Sequence, residues 1–266
     1  MQQQYGYLER FIDQLRSEGR YSFTSPEVKR LFAKSDDAIK KALQRLKRKK
    51  EICSVRKEFF ILKPGASNTK SVPPFFYIPD LMDFLGRDYY LGVLSAAAFY
   101  GAVSPQKHVS VIIAKSSLRE IYETDYETRF YNKKNWDSTD IIRHKIKQGN
   151  VINISTPELT ALDLVFYSER LGGLQKIVDV LYKLCGCMNP DKLLHTANRF
   201  VQRTTIQRLG FLLDHIFFER DLSEALRSSL EKVDYFPVLL NPKIEKCRDM
   251  RIGNSWKVIE NIKIKF

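Results

Sequence analysis

Four side chains able to hydrogen-bond to a base edge, Lys40, Lys41, Gln44 and Arg45, stand almost together in the stretch DDAIKKALQRLKRKKEICSVRKEFFIL, Asp36 to Leu62. Arg or Lys can donate to guanine O6 and N7, and Gln can pair bidentately with adenine, when a helix carries them into a major groove about 12 Å wide. Lys47, Arg48, Arg56 and Lys57 follow, and they suit phosphate oxygens, which position a protein on a duplex without reading its sequence. The stretch sets nine Lys and Arg against four carboxylates. A lysine-rich helix face is also a common solvated surface, so the elements that carry these residues decide what the charge is for.

Three helices precede or contain them. Tyr5, Leu8, Phe11, Ile12 and Leu15 recur at spacings of three and four, which describes one apolar helix face ending near Gly19. Thr24-Ser25-Pro26-Glu27 offers a hydroxyl cap, an early proline and a glutamate three residues on, so a second helix is expected with Val28, Leu31 and Phe32 turned inward. Ser35 caps a third helix whose first turn holds Asp36 and Asp37. Ile39, Ala42, Leu43 and Leu46 form its buried stripe, leaving Asp37, Lys41, Gln44 and Arg48 opposite, flanked by Lys40, Arg45 and Lys47.

Next come two β-prone runs, EICSV and FFIL, joined by Arg56-Lys57-Glu58 at hairpin length but without the usual Asn-Gly or Asp-Gly. Three helices and then a hairpin with a basic tip is the order of a winged helix-turn-helix. Residues 1–64 are therefore expected to form such a domain on double-stranded DNA, with the amino-terminal half of its third helix deepest in the groove.

Other chemistry finds less support. His108, His144, His195 and His215 lie far apart, and Cys185-Gly186-Cys187 lacks both the two-residue gap and the second ligand pair of a zinc site. No glycine-rich phosphate loop or nucleophile elbow is present, so no cofactor and no metal are expected. A metal-dependent nuclease, the enzyme most compatible with a basic chain, would have to gather carboxylates such as Glu120, Asp125, Glu127, Glu158 and Asp163. Glu158 and Asp163 do not share a helix face, being about 140° apart by helix geometry. A non-enzyme is the preferred reading; a nuclease targeted by the winged helix, or a plain regulator with a sensor domain, remain alternatives.

The totals agree with a folded protein that meets polyanions. The chain has 266 residues, 44% hydrophobic and 12% aromatic, enough for two domains. Its net charge is +13, and residues 1–63 hold 16 Lys and Arg against 8 Asp and Glu, a net of +8, so most of the excess lies in the first quarter. No secretory leader is visible, no apolar run approaches a membrane span of roughly 18 residues, and a cytoplasmic protein with reduced cysteines is expected. Cys53, Cys185, Cys187 and Cys247 are too few for a disulfide framework. A membrane partner is not expected.

KPGASNTKSVPP marks the boundary, with the linker at 65–74 and a larger second domain at 75–266. Beyond it, a helix pair is expected, the second helix running from about Asp88 to Tyr100 and stopped by Gly101, with Gly92, Ser95, Ala96 and Ala97 allowing a close neighbour. HVSVIIAK, TRFYNKK, IIRHKIK and NVINIS read as strands, with Gly149-Asn150 as the turn between the last two. Pro157 and Glu158 repeat the helix-start chemistry seen in the first domain, further helices follow, and FPVLL and WKVIENIKIKF return to strand alternation. The fold class expected is α+β: a winged helix-turn-helix followed by a larger mixed α and β domain.

Taken in order, YYLGVLSAAAFYGA, STPELTALDLV with LGGLQKIVDVL, QRLGFLLD, and LLNP with a glycine and W-x-V-x-x-N resemble the AbiEi family, antitoxins and transcriptional regulators of type IV toxin-antitoxin systems in abortive infection. The resemblance implies that the winged helix binds inverted repeats in its own promoter and represses the operon. It also implies that the second domain counters an AbiEii-type nucleotidyltransferase toxin without forming a stable complex with it.

Overall fold

The computed structural model describes residues 6–63, 72–104, 109–122, 125–146, 150–231, 233–244 and 253–266. Most of the expected linker, His108, Cys247 and the Gly149 of the expected turn lie outside the described residues. By internal contacts the chain divides into one unit of residues 1–90, 107–134 and 143–153, and another of residues 91–106, 135–142 and 154–266.

In the first unit, α1 (Tyr7–Ser17) buries Leu8, Phe11, Ile12 and Leu15, as their spacing requires. Gly19 then turns the chain with φ +71. A short strand, β1 (Ser22–Thr24), leads into α2 (Ser25–Leu31). Thr24 and Glu27 form the expected capping box: the Glu27 N–H donates to Thr24 Oγ1 at 3.2 Å, and the Thr24 N–H donates to Glu27 Oε2 at 3.4 Å. Both donors belong to the first turn of a helix, where the backbone offers no partner. Thr24→Ala is therefore expected to cost about 1 kcal/mol of stability in urea unfolding, and Thr24→Gly only a few tenths.

The expectation that Leu31 faces inward is overturned, for it is 57% exposed. The chain leaves α2 at Phe32, which is extended with φ −123 and ψ 117. That swings the Phe32 ring against Tyr7 at 4.8 Å and Phe11 at 5.8 Å, and Leu31 points away.

The Ser35 hydroxyl accepts the Ala38 N–H at 3.3 Å and opens α3 (Asp36–Arg48), which buries Ile39, Ala42, Leu43 and Leu46. β2 (Ile52–Arg56) and β3 (Phe59–Leu62) pair antiparallel, and β1 pairs antiparallel with β3, so the sheet order is β1-β3-β2. Its inner residues Phe23, Ile52, Phe60 and Leu62 close one core with the apolar stripes of α1 and α3. The hairpin turn is tighter than expected. Arg56 ends β2, only Lys57 and Glu58 turn, and Glu58 adopts the left-handed φ of +61 that Asn or Gly would normally supply.

The same unit includes α4 (Ile78–Phe84), whose Phe84 ring lies 5.6 Å from Phe59 and whose Asp80 accepts a hydrogen bond from the Ser22 hydroxyl. It also includes β5 (Val109–Ala114) and β6 (Glu127–Asn132), parallel from Val109 opposite Glu127 to Ala114 opposite Asn132. With β4 (Tyr89–Leu91), β7 (Ile141–Lys145) and β8 (Val151–Ser155) they form a five-stranded sheet in the order β6-β5-β4-β8-β7.

The helix expected from Asp88 to Tyr100 is instead a strand and a helix. Tyr89, Tyr90 and Leu91 are all buried, an unbroken apolar triplet suited to a strand covered on both faces, and Leu91 pairs parallel with Ile154. The extended Gly92 separates them from α5 (Val93–Phe99), which stops at Gly101 with φ +72 as expected.

The second unit is mainly helical: α6 (Pro157–Phe166), α7 (Leu174–Cys185), α8 (Pro190–Arg199), α9 (Arg203–Phe211) and α10 (Arg220–Leu230). A π-helical turn, Leu212–Ile216, follows α9. Residues 158–165 of α6 are all buried, because α5, α7, α8 and α9 pack around it. Ala96 and Ala97 are fully covered, consistent with the close approach that their small side chains allow. The strand alternation at the end yields only β9 (Val238–Leu239) and β10 (Val258–Ile259), two residues each and parallel.

Candidate nucleic-acid interface

The eight residues expected to touch DNA lie on α3 and on the β2–β3 hairpin. Lys40, Lys41, Gln44, Lys47, Arg48 and Lys57 are exposed, while Arg45 and Arg56 are partly covered. Lys40, Gln44 and Lys47 share with Lys57 a groove of about 530 Å³ that Ser54, Glu58 and Phe60 of the hairpin also line. The Lys47 ammonium sits 5.0 Å from the centre of the Phe60 ring, where the face of the ring attracts it. Lys29 lines the same groove but is paired with Asp36 at 2.8 Å. Among the described residues Lys40, Lys47 and Lys57 make no ion pair, so their charge stays available to an anion.

The other flank of α3 is a second cleft of about 560 Å³, lined by Lys34, Lys41 and Arg45 together with Tyr7, Ser35 and Asp37. Here Arg45 is engaged: its guanidinium lies 3.3 Å from Glu9 of α1, and Lys49 lies 3.5 Å from the same carboxylate oxygen. Burial raises the Tyr7 phenol above its ordinary pKa, with Arg45 nearby pulling it down and Glu9 pushing it up. Arg56 is turned toward the body of its own unit. It donates to the Val55 carbonyl at 2.7 Å and to the Arg119 carbonyl, and its guanidinium lies 5.7 Å from the Phe130 ring.

The structure thus gathers Lys40, Gln44, Lys47 and Lys57 in one groove and sets Lys41 and Arg45 on the opposite flank. Sequence reasoning missed Lys29 and Lys34. Lys29 is on α2 and Lys34 in the connection to α3, and nothing local to either reveals that it lines a cleft beside α3.

In the second unit, two of the segments that carry the family resemblance, QRLGFLLD and LLNP with W-x-V-x-x-N, meet. The Trp256 ring lies so close to α9 that a Cβ on Gly210 would sit 2.0 Å from its Cζ3. Trp256 Nε1 donates to Asp214 Oδ2 at 2.9 Å, and Gln207 Nε2 donates to the Phe236 and Trp256 carbonyls at 2.9 Å each. Arg208 Nε donates to the Leu239 carbonyl at 2.9 Å, and burial lowers its pKa despite the opposing pull of Glu169. The Asn261 side chain bridges the Asn241 N–H at 2.9 Å and the carbonyls of Asn241 and Ile244 at 2.7 and 2.8 Å. The residues of QRLGFLLD, LLNP and W-x-V-x-x-N therefore form one lock that holds the carboxy-terminal segment on α9.

Thr156 caps α6 by accepting the Leu159 N–H at 3.3 Å, with Pro157 and Glu158 in its first turn as expected. Glu158 does more than that: it is 2% exposed and receives the Asn189 N–H at 2.9 Å, tying the start of α6 to the start of α8. Burial pushes the Cys185 thiol up to about 12, and its Sγ donates to the Leu181 carbonyl at 3.2 Å. Among the described residues no group of three or more His, Cys, Asp and Glu could hold a metal ion, and no helix is long and apolar enough to cross a membrane.

Among solved structures, the chain is similar to that of the RV2827C protein from Mycobacterium tuberculosis, at 12% identity and a TM-score of 0.65, covering 96% of this chain and 91% of that one. At that identity the likeness concerns the fold alone. An antigenic nucleotidyltransferase-like protein from Paracoccidioides brasiliensis matches at 12% identity and a TM-score of 0.37, covering 56% of this chain and 88% of that one, too weakly for an argument. No curated protein matches the chain. Residues 90–215 match the family model of the AbiEi antitoxin C-terminal domain, a span that begins at Tyr90 of β4 and ends just past Asp214 of the lock. Over that span, somewhat under half of the chain, the match supports kinship with the AbiEi antitoxins.

Proposed function

We propose that this protein is a non-enzymatic antitoxin that also represses its own operon, in a toxin-antitoxin system of type IV. In this reading residues 1–64 are a winged helix-turn-helix, residues 65–74 a linker and residues 75–266 the antitoxin domain. The observation that carries the DNA-binding half is the basic groove between α3 and the hairpin, where three lysines that make no ion pair among the described residues line the same wall as Gln44. An α-helix with side chains is about 10–12 Å across, the width of a major groove. Docked there, Lys40, Lys41, Gln44 and Arg45 face base edges, and Lys47, Arg48 and Lys57 face phosphates, which Arg56 joins only on leaving the Arg119 carbonyl and the Phe130 ring. The antitoxin half rests on the family match, and its functional partner is an AbiEii-type nucleotidyltransferase toxin that it opposes without a stable complex.

Fluorescence anisotropy on the DNA upstream of the gene tests the first half. The expected result is binding to an inverted-repeat duplex well above binding to a shuffled duplex, with log K falling by about 0.9 per phosphate contact for each tenfold rise in salt. Equal affinity for both duplexes would overturn the repressor reading, and metal-dependent cleavage of a plasmid would replace it with the nuclease. For the second half, co-expression with a neighbouring nucleotidyltransferase gene is expected to restore growth that the toxin alone arrests. Growth arrest unaffected by this protein would refute the antitoxin role.

A further inference from the structure

The β2–β3 hairpin has partners on both of its faces. One face lines the groove beside α3 through Ser54 and Phe60, and the alternation of the strand sends Phe59 and Ile61, each 1% exposed, to the other. Arg56 pairs with Phe59 across the hairpin, so their side chains leave this second face together. The Phe59 ring meets Phe84 of α4 at 5.6 Å, and the Arg56 guanidinium lies 5.7 Å from the Phe130 ring of β6. Arg56 also donates to the carbonyl of Arg119, in the segment that returns from β5 to β6. Two residues further on, Ile121 and Thr128 each donate an N–H to the other's carbonyl at 3.0 Å, which fastens that segment to β6. The backbone around Arg119 is therefore held at two points, while its side chain is exposed.

Arg56 directly precedes the Lys57-Glu58 turn, so Arg119 lies within one arginine's length of the hairpin tip, the end that a winged helix turns to a duplex. Phosphates succeed one another about every 3.4 Å along each strand, so a strand held by Lys57 carries further phosphates past Arg119. The carboxylates beside it are engaged elsewhere: Glu120 accepts the Tyr122 hydroxyl, and Glu127 holds Arg129 at 2.6 Å. Among the described residues Arg119 makes no ion pair, and its charge stays available to an anion.

We infer that Arg119 is a DNA phosphate contact from outside the winged helix, and that Arg56 is the bracket that holds it beside the hairpin tip. This rests on the DNA-binding reading above and extends its interface into the β5–β6 part of the same unit.

The test is fluorescence anisotropy on the inverted-repeat and random duplexes across a salt series, with wild type, Arg119→Ala, Arg119→Lys and Lys192→Ala. Arg119→Ala is expected to flatten the salt slope by about 0.9 and to weaken both duplexes about 5-fold at roughly 0.15 M salt. The ratio between the duplexes stays at the wild-type value, because a phosphate contact reads no sequence. Arg119→Lys keeps most of the slope, since a phosphate also accepts an ammonium as a point charge. Lys192, exposed on α8 of the second unit, carries the same charge, and its loss is expected to leave the slope in place. The urea midpoint of Arg119→Ala should match that of wild type, because the bond from Arg56 uses the backbone carbonyl and survives the substitution.

An Arg119→Ala protein whose slope changes no more than that of Lys192→Ala would overturn the inference and leave the DNA-binding reading intact. Wild-type protein that binds neither duplex even at low salt would instead overturn that reading, and this inference with it. Should Arg119→Ala unfold early, Arg119→Gln keeps the polar end of the side chain without its charge, and the same loss of slope is expected.

Discussion

Trp256→Ala is expected to lower stability in chemical unfolding by about 3–5 kcal/mol, the largest loss from any single side chain of the lock. The ring is 1% exposed and lies against the backbone of α9, so its removal opens a cavity that a helix backbone cannot relax to fill. It also removes the indole donor at 2.9 Å from Asp214 Oδ2 and leaves the Arg227 guanidinium, 5.6 Å from the ring, without its stacking face. Gly210→Ala tests the same contact from the opposite side, and there two effects compete in sign. Helix propensity alone favours alanine by about 0.8–1 kcal/mol. A Cβ 2.0 Å from Cζ3 cannot be accommodated without displacing the indole, and overpacking of this kind costs about 1–3 kcal/mol or more. The clash should win, so Gly210→Ala is expected to be destabilising. A variant as stable as wild type would show that the ring does not lie on the helix as described.

That contact also shows why the second unit was less legible than the first. The stripe of α3, the Thr24–Glu27 box and the Ser35 cap are local, set by residues within a few positions of each other, and the structure reproduces them. Gly210 and Trp256 are brought together only by the tertiary fold, so nothing near either residue reveals the need for a glycine. Gln207 and Arg208 likewise carry no local sign of their role, yet their side chains hold the carbonyls of Phe236, Trp256 and Leu239. Short strands failed for a related reason. Tyr89–Leu91 is too brief to show a period, and it gains its strand pairing from β8, far along the chain. Within the candidate interface the pattern is the same: periodicity placed Lys40, Gln44 and Lys47 on the outer surface of α3, but it carried no sign that Arg45 would be held by Glu9 or Arg56 by Arg119 and Phe130.

Those engagements decide which substitutions best separate reading from sticking. Arg56→Ala would remove a ring contact and a backbone bridge along with a charge, so a loss of binding there would mix folding with recognition. Lys40, Lys47 and Lys57 are exposed and without ion pairs among the described residues, and exposed substitutions of this kind usually change stability by no more than about 0.5 kcal/mol. The double change of Lys47 and Lys57 to alanine is expected to flatten the salt slope by about 1.8, two phosphate contacts at about 0.9 each, which amounts to about 30-fold weaker binding at roughly 0.15 M salt. That loss should be the same on repeat and random duplexes. Lys40→Ala should instead cost the repeat more than random DNA, as its place at a base edge in the amino-terminal half of α3 implies. Gln44→Ala is the complementary case, because a neutral side chain releases no counterion. Its salt slope should stay at the wild-type value while the repeat loses about 1–3 kcal/mol of preference over random DNA. A Gln44→Ala protein that keeps its full preference would remove Gln44 from the base-reading set and shift recognition to Arg45 and Lys41 on the other flank of the helix.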